Sequence, residues 1–175
     1  VTPLVIAASC GHISVVSALV SAGAGIHSAF HKSLTPLHAA ARHGHEDVMS
    51  LLIESNADCR ATIDNGATPL HLSDNGSIAS MLIAAGADIN STAQFLATPL
   101  HTATSEGIDT VVSVLIAARA NINAEMTDCM TPLHTASEKG HDAIVSALIA
   151  AGADIHATMK GKATLLHTAA RVGHV

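Results

Sequence analysis

A chain of 175 residues has room for one domain, and its 14 acidic against 8 basic residues give a net charge of −6, far from the basic footprint of a nucleic-acid binder. Apolar residues make up 49% but aromatic ones only 1%, so a core has to be built from Leu, Ile, Val and Ala, which suits closely packed helices better than a sandwich of sheets. The basic residues are scattered rather than clustered, and no apolar run approaches the ~20 residues that a membrane-crossing helix needs.

The chain opens on Thr2-Pro3-Leu4, and related tripeptides return at Thr35-Pro36-Leu37, Thr68-Pro69-Leu70, Thr98-Pro99-Leu100, Thr131-Pro132-Leu133 and Thr164-Leu165-Leu166. The intervals from each Thr to the next are 33, 33, 30, 33 and 33 residues. Such a period marks a solenoid, in which no unit buries its apolar face alone and each leans on its neighbours.

In the first unit Gly23 follows Thr2 by 21 residues and stands where a second helix ends. The second and fourth units carry Asn56 and Arg119 at that place. Asn tolerates the left-handed backbone that Gly supplies, whereas Arg adopts it at a cost of about 1 kcal/mol. In the third unit Gly86 follows Thr68 by only 18 residues, while the loop from Gly to the next Thr is 12 residues in both units. The three missing residues therefore fall within the helix pair, near Ser73-Asp74-Asn75-Gly76, and predict a shortened first helix there. The fifth unit is the clearest. Thr131 sits at an N-cap with Pro132 at N1, and Leu133, Ala136 and Ser137 form a narrow face of a short helix that Gly140 stops. His141-Asp142 then leads into a second helix with Ile144, Val145, Leu148 and Ile149 on an apolar stripe. A sixth unit begins at Thr164.

Thr-Pro-Leu-His, a following Ala, Gly-His, a Val/Ile-rich helix and Gly-Ala-Asp-Ile together resemble the ankyrin repeat, in register along the whole of residues 1–175. The resemblance implies an all-α solenoid of stacked helix-turn-helix units joined by hairpin-like loops, in a single array.

The 13 histidines invite a catalytic or metal-binding reading, but most are explained by the repeat. His38, His71, His101, His134 and His167 follow Thr-Pro-Leu or its variant, with Val5 at that place in the first unit; His12, His45, His141 and His174 follow the turn glycine. The resemblance implies that the first set bonds to its own Thr and to the next unit's backbone. Ligands for zinc must converge at about 2.0–2.3 Å, and residues spaced by a whole repeat do not. His27, His31, His43 and His156 remain without such a register. No nucleophile elbow, phosphate-cradling loop or HExxH occurs, and Asp58, Asp88 and Asp154 fall at turns, where the resemblance implies loop capping. The expectation is a non-catalytic chain with no cofactor and no metal. Cys10, Cys59 and Cys129 lie in three different units without CxxC spacing, which favours a reducing compartment, cytoplasmic or nuclear.

The resemblance further implies that a protein partner binds the concave groove and the tips of the loops before each Thr. Mapped here, the tips are Phe30-His31-Lys32, Ile63-Asp64-Asn65, Ala93-Gln94-Phe95, Met126-Thr127-Asp128 and Met159-Lys160-Gly161. The first-helix positions are Arg42 and His43, Ser105 and Glu106, Glu138 and Lys139, and Arg171. The tips depart from the family's pattern. Phe30, Ile63, Ala93, Met126 and Met159 stand where Asp is usual, and only Gly66 supplies the usual Gly two residues before Thr. Apolar tips either form a sticky binding edge or pack on one another. Phe30 and Phe95 are the aromatic candidates for anchoring a partner. Apolar faces at the two ends predict a monomer capable of end-to-end contacts, and a second reading makes the array a positioning segment of a larger enzyme, channel, toxin or effector.

Overall fold

The computed structural model describes residues 2–28 and 33–160. The sixth unit and the tip Phe30-His31-Lys32 lie outside these. Within them, each unit begins with a Thr in extended backbone and a proline at the first helical turn. The Thr131 hydroxyl accepts the His134 amide at 3.4 Å, and Thr2 accepts that of Val5 at 3.3 Å, so the cap satisfies a donor the helix leaves free.

The first helices are α1 (Pro3–Ser9), α3 (Pro36–Arg42), α6 (Pro99–Glu106) and α8 (Pro132–Lys139); the second are α2 (Ile13–Ser21), α4 (Glu46–Glu54), α5 (Gly76–Ala84), α7 (Asp109–Ala117) and α9 (Asp142–Ala150). Gly140 caps α8 at φ 72°, the left-handed stop that the sequence places there. After the second helices, Gly23, Asn56, Gly86, Arg119 and Gly152 all have φ between 63° and 93°.

First helices stack on first helices and second on second, giving two layers with the core between them. One leucine per unit carries the first layer: Leu4, Leu37, Leu70, Leu100 and Leu133 are at most 2% exposed. Leu52, Leu82, Leu115 and Leu148 are fully buried in the second. Burial of each such side chain stabilises the fold by about 1.5–3 kcal/mol. Alanines at 7, 8, 39, 40, 41, 103 and 136 keep the first helices thin enough to approach closely. On α9 the stripe is narrower than its sequence pattern. Ile144 and Leu148 are buried four residues apart, Val145 is half-buried, and Ile149, a step of about 100° round the helix, is 48% exposed.

The third unit is short where the sequence puts its deletion. Pro69–Leu72 is a single 3-10 turn, and Ser73 then turns to extended backbone (φ −63°, ψ 122°). Asn75 caps α5 by accepting the Ile78 amide at 2.9 Å. Leu70 and Leu82 nevertheless keep their core places. The deletion removes the end of a helix and leaves the stacking interface intact.

Candidate partner-binding groove

Among the described residues the Thr–His pairs form a continuous ladder. In the third to fifth units the amide of Thr68, Thr98 or Thr131 donates to Nδ1 of His71, His101 or His134 at 3.1–3.3 Å. That makes Nδ1 an acceptor and leaves the proton on Nε2, which donates to the next unit: His71 to the Ala97 carbonyl (3.1 Å) and His101 to Met130 (3.2 Å). His38 makes the corresponding bond to Ala67 at 3.2 Å. The unit following His134 lies outside the described residues. Burial lowers the pKa of all four rings, His38 to about 4, so they are neutral struts. Bonded on both ring nitrogens and sealed in the core, His38, His71 and His101 are unavailable as general bases.

The histidines after the turn glycines form a second inter-unit register that periodicity alone does not disclose. His45 Nε2 donates to the Ser9 carbonyl of the preceding unit at 2.9 Å. Its ring lies where a Cβ on Gly11 would stand, 2.6 Å away, and the His141 ring lies over Gly107 in the same way at 2.8 Å. These glycines are also left-handed (φ 70° and 73°), so conformation and close approach both require Gly. In the shortened unit Asp74 replaces the ring, against Gly44. Along the opposite edge, Asn90 Oδ1 accepts the Asn121 amide and Asn123 Oδ1 that of Asp154, each at 2.8 Å. Asp58, Asp88 and Asp154 accept amides two residues on, at 2.8–3.0 Å.

The tips are joined to one another. The Gln94 amide donates to Asn65 (2.7 Å), Thr127 to Phe95 (3.0 Å) and Lys160 to Asp128 (2.9 Å), a backbone seam running from the second tip to the fifth. The residue two before each Thr is left-handed whether or not it is Gly: Ser33, Gly66, Leu96 and Cys129 have φ 62–80°. The tip before Thr98 adds a second such residue, Phe95 at φ 61°. Phe95 is 59% exposed and Leu96 51%. Two hollows adjoin at Arg42. One of about 410 Å³ is walled by Val5, Ile6, Leu34 and Ala39, the other of about 810 Å³ by Asp64, Asn65 and Gln94, and Arg42 lines both.

A family profile described as ankyrin repeats (3 copies) matches residues 4–93, 73–159 and 100–175. The chain belongs to the ankyrin-repeat family. The human ASB11 ankyrin repeat domain, known from a crystal structure, is similar at 27% identity with a TM-score of 0.89, over 98% of this chain and 78% of that one. No curated protein sequence matches the chain.

Within this ankyrin array the residues expected to meet a partner separate into distinct settings. Phe30, His31, Lys32 and Arg171 lie outside the described residues. Arg42, His43, Glu106 and Lys139 are exposed at or just beyond the ends of first helices, and the His43 ring stacks 6.3 Å from that of His45. Glu138 is half-buried and already engaged. Asp64, Gln94 and Lys160 are exposed at the tips, with Asp64 accepting the Ser33 hydroxyl at 2.9 Å. The two readings of apolar tips divide by position. Ile63, Ala93, Met126 and Met159 are half-buried, and only Phe95 among these apolar tip residues stands out in solvent. Two further exposed residues, Ile6 and Leu96, escape selection by repeat register. Leu96 does carry a signal, as a bulky residue in a slot that asks for Gly; Ile6 looks like a core residue in sequence, yet it is 50% exposed on the wall of the smaller hollow. Among the described residues no group of three or more His, Cys, Asp or Glu side chains converges as a metal site, and no helix is long and apolar enough to cross a membrane.

Proposed function

We propose that residues 1–175 form one continuous ankyrin array that acts without catalysis, recognising a partner protein across its concave groove and loop tips. The observation that carries this reading is the Phe95-Leu96 tip. Two large apolar side chains stand more than half exposed on consecutive left-handed residues, where they add little to the core and cost the backbone about 1–2 kcal/mol each. Exposed apolar surface in that setting contributes to binding rather than to folding. The three unpaired cysteines support an intracellular, reducing setting.

Opposite signs test it. Leu96→Gly is expected to raise the melting temperature while lowering capture of partner proteins, and Phe95→Ser is expected to lower capture without unfolding. If Phe95→Ser, Leu96→Gly and the groove variant Arg42→Glu all retain the same captured partners as the parent, this face is not the binding face.

A further inference from the structure

The two adjoining hollows take partner recognition at the groove to a class of ligand, and the inference rests on that proposed recognition. The smaller hollow is apolar, with Ile6 50% exposed on its wall and Val5 and Ala39 beneath. The larger opens beside the third unit, whose first helix ends at Leu72. The deletion removes the end of that helix, where Arg42 stands in the second unit, and Asn75 takes the place of His45 as the cap of the second helix, so the third unit offers no side chain matching Arg42.

Arg42 stands between the two hollows, and among the described residues it has neither a hydrogen bond nor an ion pair. A planar guanidinium with its fork of donors free fits a carboxylate bidentately. The carboxylate on the wall of the larger hollow, Asp64, accepts the Ser33 hydroxyl through one oxygen and makes no ion pair with Arg42. Beyond Arg42 the walls offer amide side chains. Asn65 uses Oδ1 on the Ala67 amide at 3.1 Å, which leaves its NH₂ group, and the Gln94 side chain has no partner among the described residues. Such amides pair with the N–H and C=O groups of an extended backbone. Apolar wall, cation and amides thus adjoin, with Arg42 shared by both hollows.

We infer that the paired hollows bind an extended segment of a partner protein that presents an aliphatic and an acidic side chain two residues apart. In extended chain, residues i and i+2 point the same way about 7 Å apart, so the aliphatic group enters the apolar hollow as the carboxylate meets Arg42. The guanidinium sets the acid, and the wall of Val5, Ile6 and Ala39 sets its neighbour.

The probe is a set of short N-acetylated fluorescent peptides carrying Leu-x-Glu, Leu-x-Gln or Ala-x-Glu, titrated by polarisation. Leu-x-Glu is expected to bind most tightly, with Gln for Glu weakening binding about tenfold. In Arg42→Gln the difference between Glu and Gln disappears; in Ile6→Ser the difference between Leu and Ala disappears. Both residues are exposed, and unchanged melting confirms that the fold survives. Equal binding of Glu and Gln peptides by the parent, or a Glu preference that persists in Arg42→Gln, overturns the inference. If those results coincide with loss of partner capture in Phe95→Ser, the tip still recognises a partner and only the hollows fail. A parent dimer that Arg42→Gln converts to monomer makes a second copy the occupant and overturns it as well.

Discussion

The third and fifth units differ in length but share the same interface. The fifth has an eight-residue first helix stopped by Gly140 with His141 beyond it; the third has a four-residue 3-10 turn, and Asp74 in place of the ring. Yet both bury their leucines, Leu70 and Leu133, to 1%, and both keep the Thr–His pair at 2.9 Å. What stacks the units is therefore the start of each first helix and the second helix. The end of the first helix is free to vary, and it is that end which is exposed, at Arg42, Glu106 and Lys139. The deletion alters the surface while sparing the core.

Four measurements test whether the short and long units are held alike, and the largest effect concerns acid. His38 is held at about 4 in the folded chain against 6.5 unfolded, and His71, His101 and His134 are also lowered by burial. A lowered folded-state value means that stability is complete above the unfolded pKa and is lost as pH falls through 6.5 toward the folded value. At pH 4 His38 alone costs about 3 kcal/mol, so urea midpoints should fall steeply between pH 6.5 and 4. A flat profile over that window means that the ladder is not neutral or not buried.

Next, His71→Ala and His101→Ala should cost the same, about 2–4 kcal/mol each, because each leaves a buried Thr amide and a carbonyl unpaired beside a cavity. Chemical denaturation that finds His71→Ala nearly neutral would make the short unit a break in the stack. Smaller and of opposite sign, Arg119→Gly should stabilise by up to about 1 kcal/mol, since Arg119 holds φ 64°. Thermal melting that shows no gain removes the strain at that position. Smallest of all, Asn123→Ala should lose about 1 kcal/mol with the 2.8 Å bond to the Asp154 amide. Hydrogen exchange at Asp154 reads that loss directly, and unchanged protection would mean the bond is not made in solution.

The candidate surface is only partly legible in the sequence. Arg42, Gln94 and Phe95 can be placed by counting from Thr, because exposure at helix ends and tips follows the register. Met126 and Met159 look equally sticky in sequence, yet they are half-buried while Phe95 is not. The difference is one of place in the tip: Met126 and Met159 stand first, where Ile63 and Ala93 are also half-buried, whereas Phe95 stands third, where Asn65 is exposed too.

The number and spacing of the units, the caps, the shortened third helix and the left-handed positions at Asn56 and Arg119 can all be read from the amino-acid order. Each of these is local, written within a few residues of the Thr that opens its unit or of the glycine slot that ends its second helix. Stacking, by contrast, is what lays His45 and His141 over the preceding unit's glycine, joins the tips into a seam and sets Arg42 between two hollows. Those features depend on groups about a full repeat apart in sequence, and no residue carries in its own neighbourhood the neighbouring unit that it meets.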